Sequence, residues 1–326
     1  MILEQKKQLI LDAFYQRQEI GWLQMRTIFL SIHGSTCYGL NTETSDVDFT
    51  GICMPPKDYL LGFLRSMDQL VNSKPDGCIY SIIKWFALAA NANPNVLELL
   101  WIDEKYHVIC EPQFKFLQTL RQAFLSTRVK DTYTGYAKQQ LARIKTHKAW
   151  LLNPPDHKPT REEFGLPPQK ELAEDQRGAL NKLVEENEVT LDDNAVKRLQ
   201  QENAYHNARK HYAQYETWLK TRNPVRAELE AKYGYDTKHA SHLVRLIRQG
   251  KELLTTGTMN VERKEDREEL LGIRKGIWSY EQLMEWVDAN ATDAEFYELA
   301  KNSGLPEQPN RNKLHDICVA LVEKSL

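Results

Sequence analysis

The stretch Gly34–Gly51, "GSTCYGLNTETSDVDFTG", places a Gly-Ser pair a short loop ahead of two aspartates separated by one residue. Before it, "TIFLSI" (27–32) is apolar and β-branched, which predicts a buried strand running directly into the glycine. After the polar loop, "DVDFTGICM" (46–54) predicts a second strand, ended by Pro55-Pro56 because proline cannot continue a central ladder. Side chains alternate along a strand, so Asp46 and Asp48 are expected on one face, their Cα atoms about 6.6 Å apart, with Val47 turned into the core between them.

Two carboxylates facing one pocket repel each other unless a cation lies between them, and hard oxygen ligands at this spacing suit Mg²⁺. Two such metals about 4 Å apart serve an in-line phosphoryl displacement, one on the attacking oxygen and one on the leaving group. Gly34 supplies the complementary half: a glycine lets backbone approach a phosphate, while the following amide and the Ser35 hydroxyl donate to its oxygens. Gly39 fits a tight turn. Alone, Asp-x-Asp is most often a solvated turn and Gly-Ser a common dipeptide. In the order strand, Gly-Ser, loop, strand with Asp-x-Asp, they specify a phosphate site and a metal site together.

Gly34-Ser35, Tyr38-Gly39, Ser45-Asp46-x-Asp48 and Gly51 resemble the signature of DNA polymerase beta-like nucleotidyltransferases, closest to the predicted RNA-repair-associated branch. The blocks "YSIIKWFALAANANPNVLELLW", "HKAWLLNPPDHKPTREEFGLP" and "YDTKHASHLVRLIRQGKELLTTG" look like that branch too, leaving mainly 170–222 outside the likeness. The resemblance implies an α+β fold: a polymerase beta-type core, a small mixed sheet with helices, followed by an all-α C-terminal domain. It implies Mg²⁺-dependent transfer of a nucleoside monophosphate from an NTP to an acceptor hydroxyl, with pyrophosphate released. Asp46 and Asp48 would hold the metals, and Gly34 and Ser35 the triphosphate. The superfamily uses a third carboxylate on a neighbouring strand; Asp76, before "GCIYS", matches best in order and context, and Asp68, in "SMDQLV", is the competitor. "PDG" around Asp76 is also an ordinary turn.

The chain around this motif has 326 residues, which fits two domains or one large one. Strand and helix alternate up to about residue 112, after which strand signals almost stop; the expected division is a core domain at 1–125 and a helical domain at 126–326. The first helix is expected over 3–19. A further helix follows "GCIYS", and Asn93 is expected to cap another whose first residue is Pro94. The proline-rich "NPPDHKPTREEFGLPP" (153–168) reads as a loop, and the charged stretch 170–222 as a solvated helical pair.

In "YDTKHASHLVRLIRQGKELL" a helical wheel groups Lys238, His242, Arg245 and Gln249 within about 60°, opposite Ala240, Leu243, Ile247 and Leu254. That stripe is either a face for nucleotide phosphates or RNA, with Lys238, His242 and Arg245 as nucleotide-binding residues, or an ordinary basic surface. Asp236 could cap the helix. The block Arg143–Pro155 interleaves Arg143, Lys145, His147 and Lys148 with Trp150, which suits nucleic acid. It suits better a hinge in which Trp150 is core. Lys84 either points back to the phosphates or is solvated.

Net charge is −2, so any polyanion surface must come from local clustering. Five scattered cysteines without a CxxC pair argue for a reducing compartment and against a zinc site. No signal peptide or membrane-length apolar run is seen, so a cytoplasmic protein is expected. The partners implied are an NTP donor and an RNA acceptor, a tRNA among the candidates. A protein hydroxyl as acceptor, a catalytically dead nucleotide or RNA sensor, and a small-molecule acceptor are the alternatives.

Overall fold

The structure is a computed structural model, and it describes residues 1–16, 20–43, 45–169, 174–186, 192–222 and 224–326. Its five-stranded sheet has the order β3-β4-β2-β1-β5, built from β1 (Thr27–His33), β2 (Asp48–Cys53), β3 (Gln69–Ser73), β4 (Asp76–Ser81) and β5 (His107–Cys110). β2 and β4 run parallel and every other neighbouring pair is antiparallel, so the sheet is mixed. Helices cover much of the remaining described chain, and the expected α+β class is what the molecule has.

The central strands are buried because their sequences are apolar on both faces; β1 is buried from Thr27 to Ile32. Phe29 stacks on Phe114 with ring centroids 3.8 Å apart, and Trp85 packs edge-on to both Phe114 and Phe124. Helix Ile82–Ala90 contributes Trp85 as part of its buried face Ile82, Trp85, Phe86, Ala89 and Ala90. Ser81 starts it by accepting a hydrogen bond from the Lys84 amide. Each such large apolar side chain stabilises the fold by roughly 1.5–3 kcal/mol through area removed from water.

Three local expectations need correction. β2 begins at Asp48, so Asp46 lies in the segment before the strand rather than in it. There the Thr42 amide donates to the Ser45 Oγ at 2.8 Å and the Ser45 amide to the Thr42 carbonyl at 3.1 Å, a turn that keeps the chain off the ladder until Val47 is buried. Asn93 occupies the N-cap position of Pro94–Leu97 but makes no cap bond, its Nδ2 donating instead to the Tyr136 hydroxyl at 2.7 Å. The first helix covers Leu3–Tyr15; 17–19 of the expected span lie outside the described residues, as do 170–173 and 187–191 of the charged stretch.

By its contacts the chain divides into two compact units, one formed by Met1–Ile144 with Thr237–Leu326 and one by Lys145–Asp236. The division expected at 125/126 follows element type, whereas the contacts bring the C-terminal region back to the segment after the Gly34–Cys37 turn. Arg267 Nε donates to the Gly39 carbonyl at 2.8 Å, Arg274 Nη1 to the Leu40 carbonyl at 2.9 Å, and the Arg263 amide to the Tyr38 carbonyl at 2.9 Å. Helix Thr237–Thr256 is tied to that same segment through Ser241, whose hydroxyl donates to the Leu270 carbonyl at 3.0 Å.

Within the second unit, Asp193–Thr221 is a long helix beside the proline-rich loop, which contains only the single turn Glu162–Phe164 as a regular element. Arg161 fastens that loop, donating from Nε to the Pro167 carbonyl at 2.6 Å and, as a fork, to both carboxylate oxygens of Glu202. Trp150 is 5% exposed and packs with His147, Tyr215 and Trp218, its indole donating to His211 at 2.9 Å. It is a core residue. Among the described residues no helix is long and apolar enough to cross a membrane.

Candidate active site

Gly34–Cys37 forms one helical turn directly after β1, and β2 returns beside it with His33 opposite Asp48 in the register. Gly34 has φ +63°, and a Cβ there would lie 2.0 Å from Asp48 Oδ2. The Asp48 carboxylate therefore occupies the space a side chain at 34 would need, which is why only glycine fits. The Gly-Ser turn and the carboxylate are thus one piece of structure.

On the other side of β2 the parallel register places Asp76 opposite Asp48. Asp68 is at the far end of the same sheet: its carbonyl accepts from the Ser81 amide at 2.8 Å, and β3 starts after it with Gln69 opposite Tyr80. Its exposed carboxylate pairs with Lys84 at 3.4 Å, so Lys84 is engaged at that end of the sheet rather than at the Gly-Ser turn. The geometry brings Asp76, and not Asp68, to Asp48.

Burial pushes the Asp48 carboxyl up; Asp76 and Asp46 push it further, while Lys238 and His33 oppose them. Four charged or titratable groups from four segments thus act on one half-buried carboxylate. Asp46 and Asp76 are themselves exposed, as is Lys238. This is a crowded acidic front with Lys238 at its edge, and its hard oxygen donors and mutual repulsion fit a divalent cation.

Helix Thr237–Thr256 does not present the open basic stripe its wheel suggests. Lys238 is exposed, but Arg245 and Gln249 are each 1% exposed. Arg245 Nη1 donates to Gln249 Oε1 at 2.7 Å and faces Glu98 Oε2 at 3.3 Å, with its guanidinium 3.5 Å above the Tyr38 ring centre. The expectation of Arg245 on nucleotide phosphates gives way to a buried ion pair, because Glu98, distant in sequence, waits on the inner side of the helix. His242 is held neutral: burial, then the neighbouring Arg245 charge, lower its imidazole to about 3.

Three residues, Glu98, Lys6 and His33, escaped the sequence reading, and a fourth, Tyr38, entered it only as part of the quoted signature. Glu98 is 2% exposed and accepts from His33 Nε2 at 2.8 Å and from the Tyr38 hydroxyl at 2.6 Å, besides facing Arg245. Burial alone would raise its carboxyl; the His33 hydrogen bond, the Arg245 charge and the Tyr38 hydrogen bond hold it at about 2. Lys6 is 5% exposed, donates to Thr36 Oγ1 at 2.8 Å and is depressed by burial, partly offset by the Asp48 charge. Signals for two of these were present: Lys6 falls on the stripe of Ile10 and Phe14 at helical spacing, and Glu98 interrupts the apolar run "NVLELLW". His33 precedes the Gly-Ser turn and carried no signal beyond that adjacency, while Tyr38 was quoted with Gly39 in the signature without a role of its own.

A separate acid and histidine group lies within the second unit, where donor atoms of His147, Glu230 and Asp236 lie within 4.8 Å of one another and Arg222 pairs with Glu230. It shares no residue with the acidic front.

Residues 3–152 match the family described as "RlaP: RNA repair pathway DNA polymerase beta family". A protein of Enterobacteria phage T4, called "Uncharacterized 38.9 kDa protein in nrdC-mobD intergenic region", is 33% identical over 131 residues, 36% of this chain and 39% of its own length. The chain thus spans about two-fifths of that relative. No solved structure matches. Over residues 3–152, which hold the sheet, the Gly-Ser turn and all three carboxylates, the chain is similar to the polymerase beta-like nucleotidyltransferases of the RNA-repair branch.

Proposed function

We propose that the first unit is a nucleotidyltransferase that moves a nucleoside monophosphate from an NTP to the 3′ hydroxyl of an RNA and releases pyrophosphate. The observation that carries this is the seating of the Asp48 carboxylate against Gly34 while Asp76 lies opposite it in the ladder. Donor phosphates on the turn therefore meet the acidic front. The family description, with its RNA repair pathway, favours RNA over a protein hydroxyl as acceptor.

Mg²⁺, held by Asp46, Asp48 and Asp76, would neutralise the charge that develops on the transferring phosphoryl group. The Gly34–Cys37 turn offers backbone amides and the Ser35 hydroxyl to the triphosphate. Lys238, exposed beside Asp48, adds the positive charge that a departing pyrophosphate requires, and neutral His242 can donate a hydrogen bond without adding charge. Asp76 is the exposed carboxylate best placed to take the acceptor hydroxyl's proton. All five cysteines are unpaired, in keeping with a reducing, cytoplasmic setting.

The test is incubation of the purified chain with each labelled NTP, Mg²⁺ and either total RNA or a nucleic-acid-free lysate. Label in RNA, abolished by Asp48→Asn, is the expected result. Label in protein alone would replace RNA by a protein acceptor, and label in neither would leave a nucleotide-binding sensor.

A further inference from the structure

Glu98 is an ionised carboxylate with almost no access to water, in a place where an apolar side chain of similar size would cost less. Retaining a buried charge is neutral or unfavourable for stability unless its partners need it. Its partners are three groups on three separate elements. His33 is the residue before the phosphate turn and Tyr38 the residue after it, so one carboxylate grips both ends of Gly34–Cys37. The third, Arg245, sits two helical turns along from Lys238 on the same helix.

We propose that Glu98 is the positioning residue of the transfer site: it fixes the phosphate turn and registers the Lys238 helix against it, without touching substrate. This rests on the transferase reading of the same site. The network is sparse, which makes each bond matter. Among the described residues Arg245 Nη2 and Gln249 Nε2 have no hydrogen-bond partner, and the guanidinium is held by Gln249 Oε1, the Tyr38 face and Glu98. Loosening Glu98 frees the turn at both ends and leaves the helix charge unanchored.

Tyr38→Phe is the mildest probe, since it removes the hydroxyl donated to Glu98 and keeps the ring beneath Arg245. Glu98→Gln removes the charge at nearly constant volume. The affinity of the full chain for each of the four common NTPs in the presence of Mg²⁺, measured by calorimetry beside the thermal midpoint, separates positioning from folding. Expected is a loss of about tenfold in NTP affinity for Tyr38→Phe with the fold intact, and about a hundredfold for Glu98→Gln. A control, Glu202→Gln, breaks a second buried Arg–Glu pair and should lower the midpoint while leaving NTP affinity within about twofold. If Glu98→Gln does not fold, Tyr38→Phe decides. Folded Tyr38→Phe binding NTP as tightly as the parent overturns the positioning role and leaves the transferase reading standing; a parent chain that binds no NTP overturns both.

Discussion

Two buried Arg–Glu pairs in this chain are built differently. Arg161 and Glu202 meet fork to fork, with bonds of 3.0 and 2.5 Å, and Arg161 spends its remaining Nε on a loop carbonyl. Glu98 and Arg245 meet through one contact of 3.3 Å, and the carboxylate divides its other oxygen between a histidine and a tyrosine from elsewhere. The first pair is closed on itself and fastens a proline-rich loop. The second is shared with His33 and Tyr38, the residues on either side of the Gly34–Cys37 turn. A buried ion pair that could be better satisfied, yet is spread over three elements, marks a place where geometry matters more than stability.

Breaking the closed pair should give the largest loss of stability. Glu202→Ala leaves Arg161 buried without its counter-charge and is expected to cost about 3–5 kcal/mol, read from urea unfolding of the second unit. The shared pair should show itself in acid. Because Glu98 is held at about 2, the folded chain stays ionised where the unfolded chain, near the ordinary carboxylate value, takes up a proton. Its contribution is present above about pH 4.3 and lost as the pH falls towards 2, on the order of 3 kcal/mol. Urea midpoints from pH 6 to pH 3 should therefore fall less steeply in Glu98→Gln than in the parent. His242 acts in the same direction, since its neutral folded form at low pH faces an unfolded state that protonates near 6.5.

Gly34→Ala comes next. The added methyl would sit 2.0 Å from Asp48 Oδ2 at a backbone angle of +63°, so the carboxylate must move. About 1–3 kcal/mol of stability should be lost, and NTP transfer should fall by roughly a hundredfold in a labelled-nucleotide assay. The smallest effect belongs to the far end of the sheet. Asp68→Asn breaks only an exposed pair with Lys84, should change stability by less than about 1 kcal/mol, and should leave transfer untouched where Asp76→Asn removes it.

Much of this was legible in local sequence. The two strands around the Gly-Ser turn, the helix after "GCIYS" and the exposed Lys238 follow from periodicity and composition acting over a few residues. Asp46 was placed in the strand because alternation was extended two residues ahead of Asp48, directly after a Thr42–Ser45 turn that only the folded loop shows. The choice of Asp76 over Asp68 needed the parallel register of β2 and β4, a non-local fact. Arg245 was misread for the same reason: a wheel gives the direction of a side chain but not what lies there. The carboxylate that turns a basic face into a buried network comes from Glu98, 147 residues away in the chain. Four-residue β5 was too short at the sheet edge to declare itself.

That Asp48 and Gly34 together form a metal and phosphate site is open to direct measurement. Calorimetric titration of a non-hydrolysable NTP analogue into the full chain, with Mg²⁺ and after its removal by EDTA, should show binding that needs the metal. In Asp48→Asn that binding should weaken by at least about tenfold at unchanged or slightly raised stability, since the substitution removes a carboxylate already strained by burial and by its acidic neighbours. Equal affinity in parent and variant, or binding indifferent to Mg²⁺, would contradict the assignment of the site.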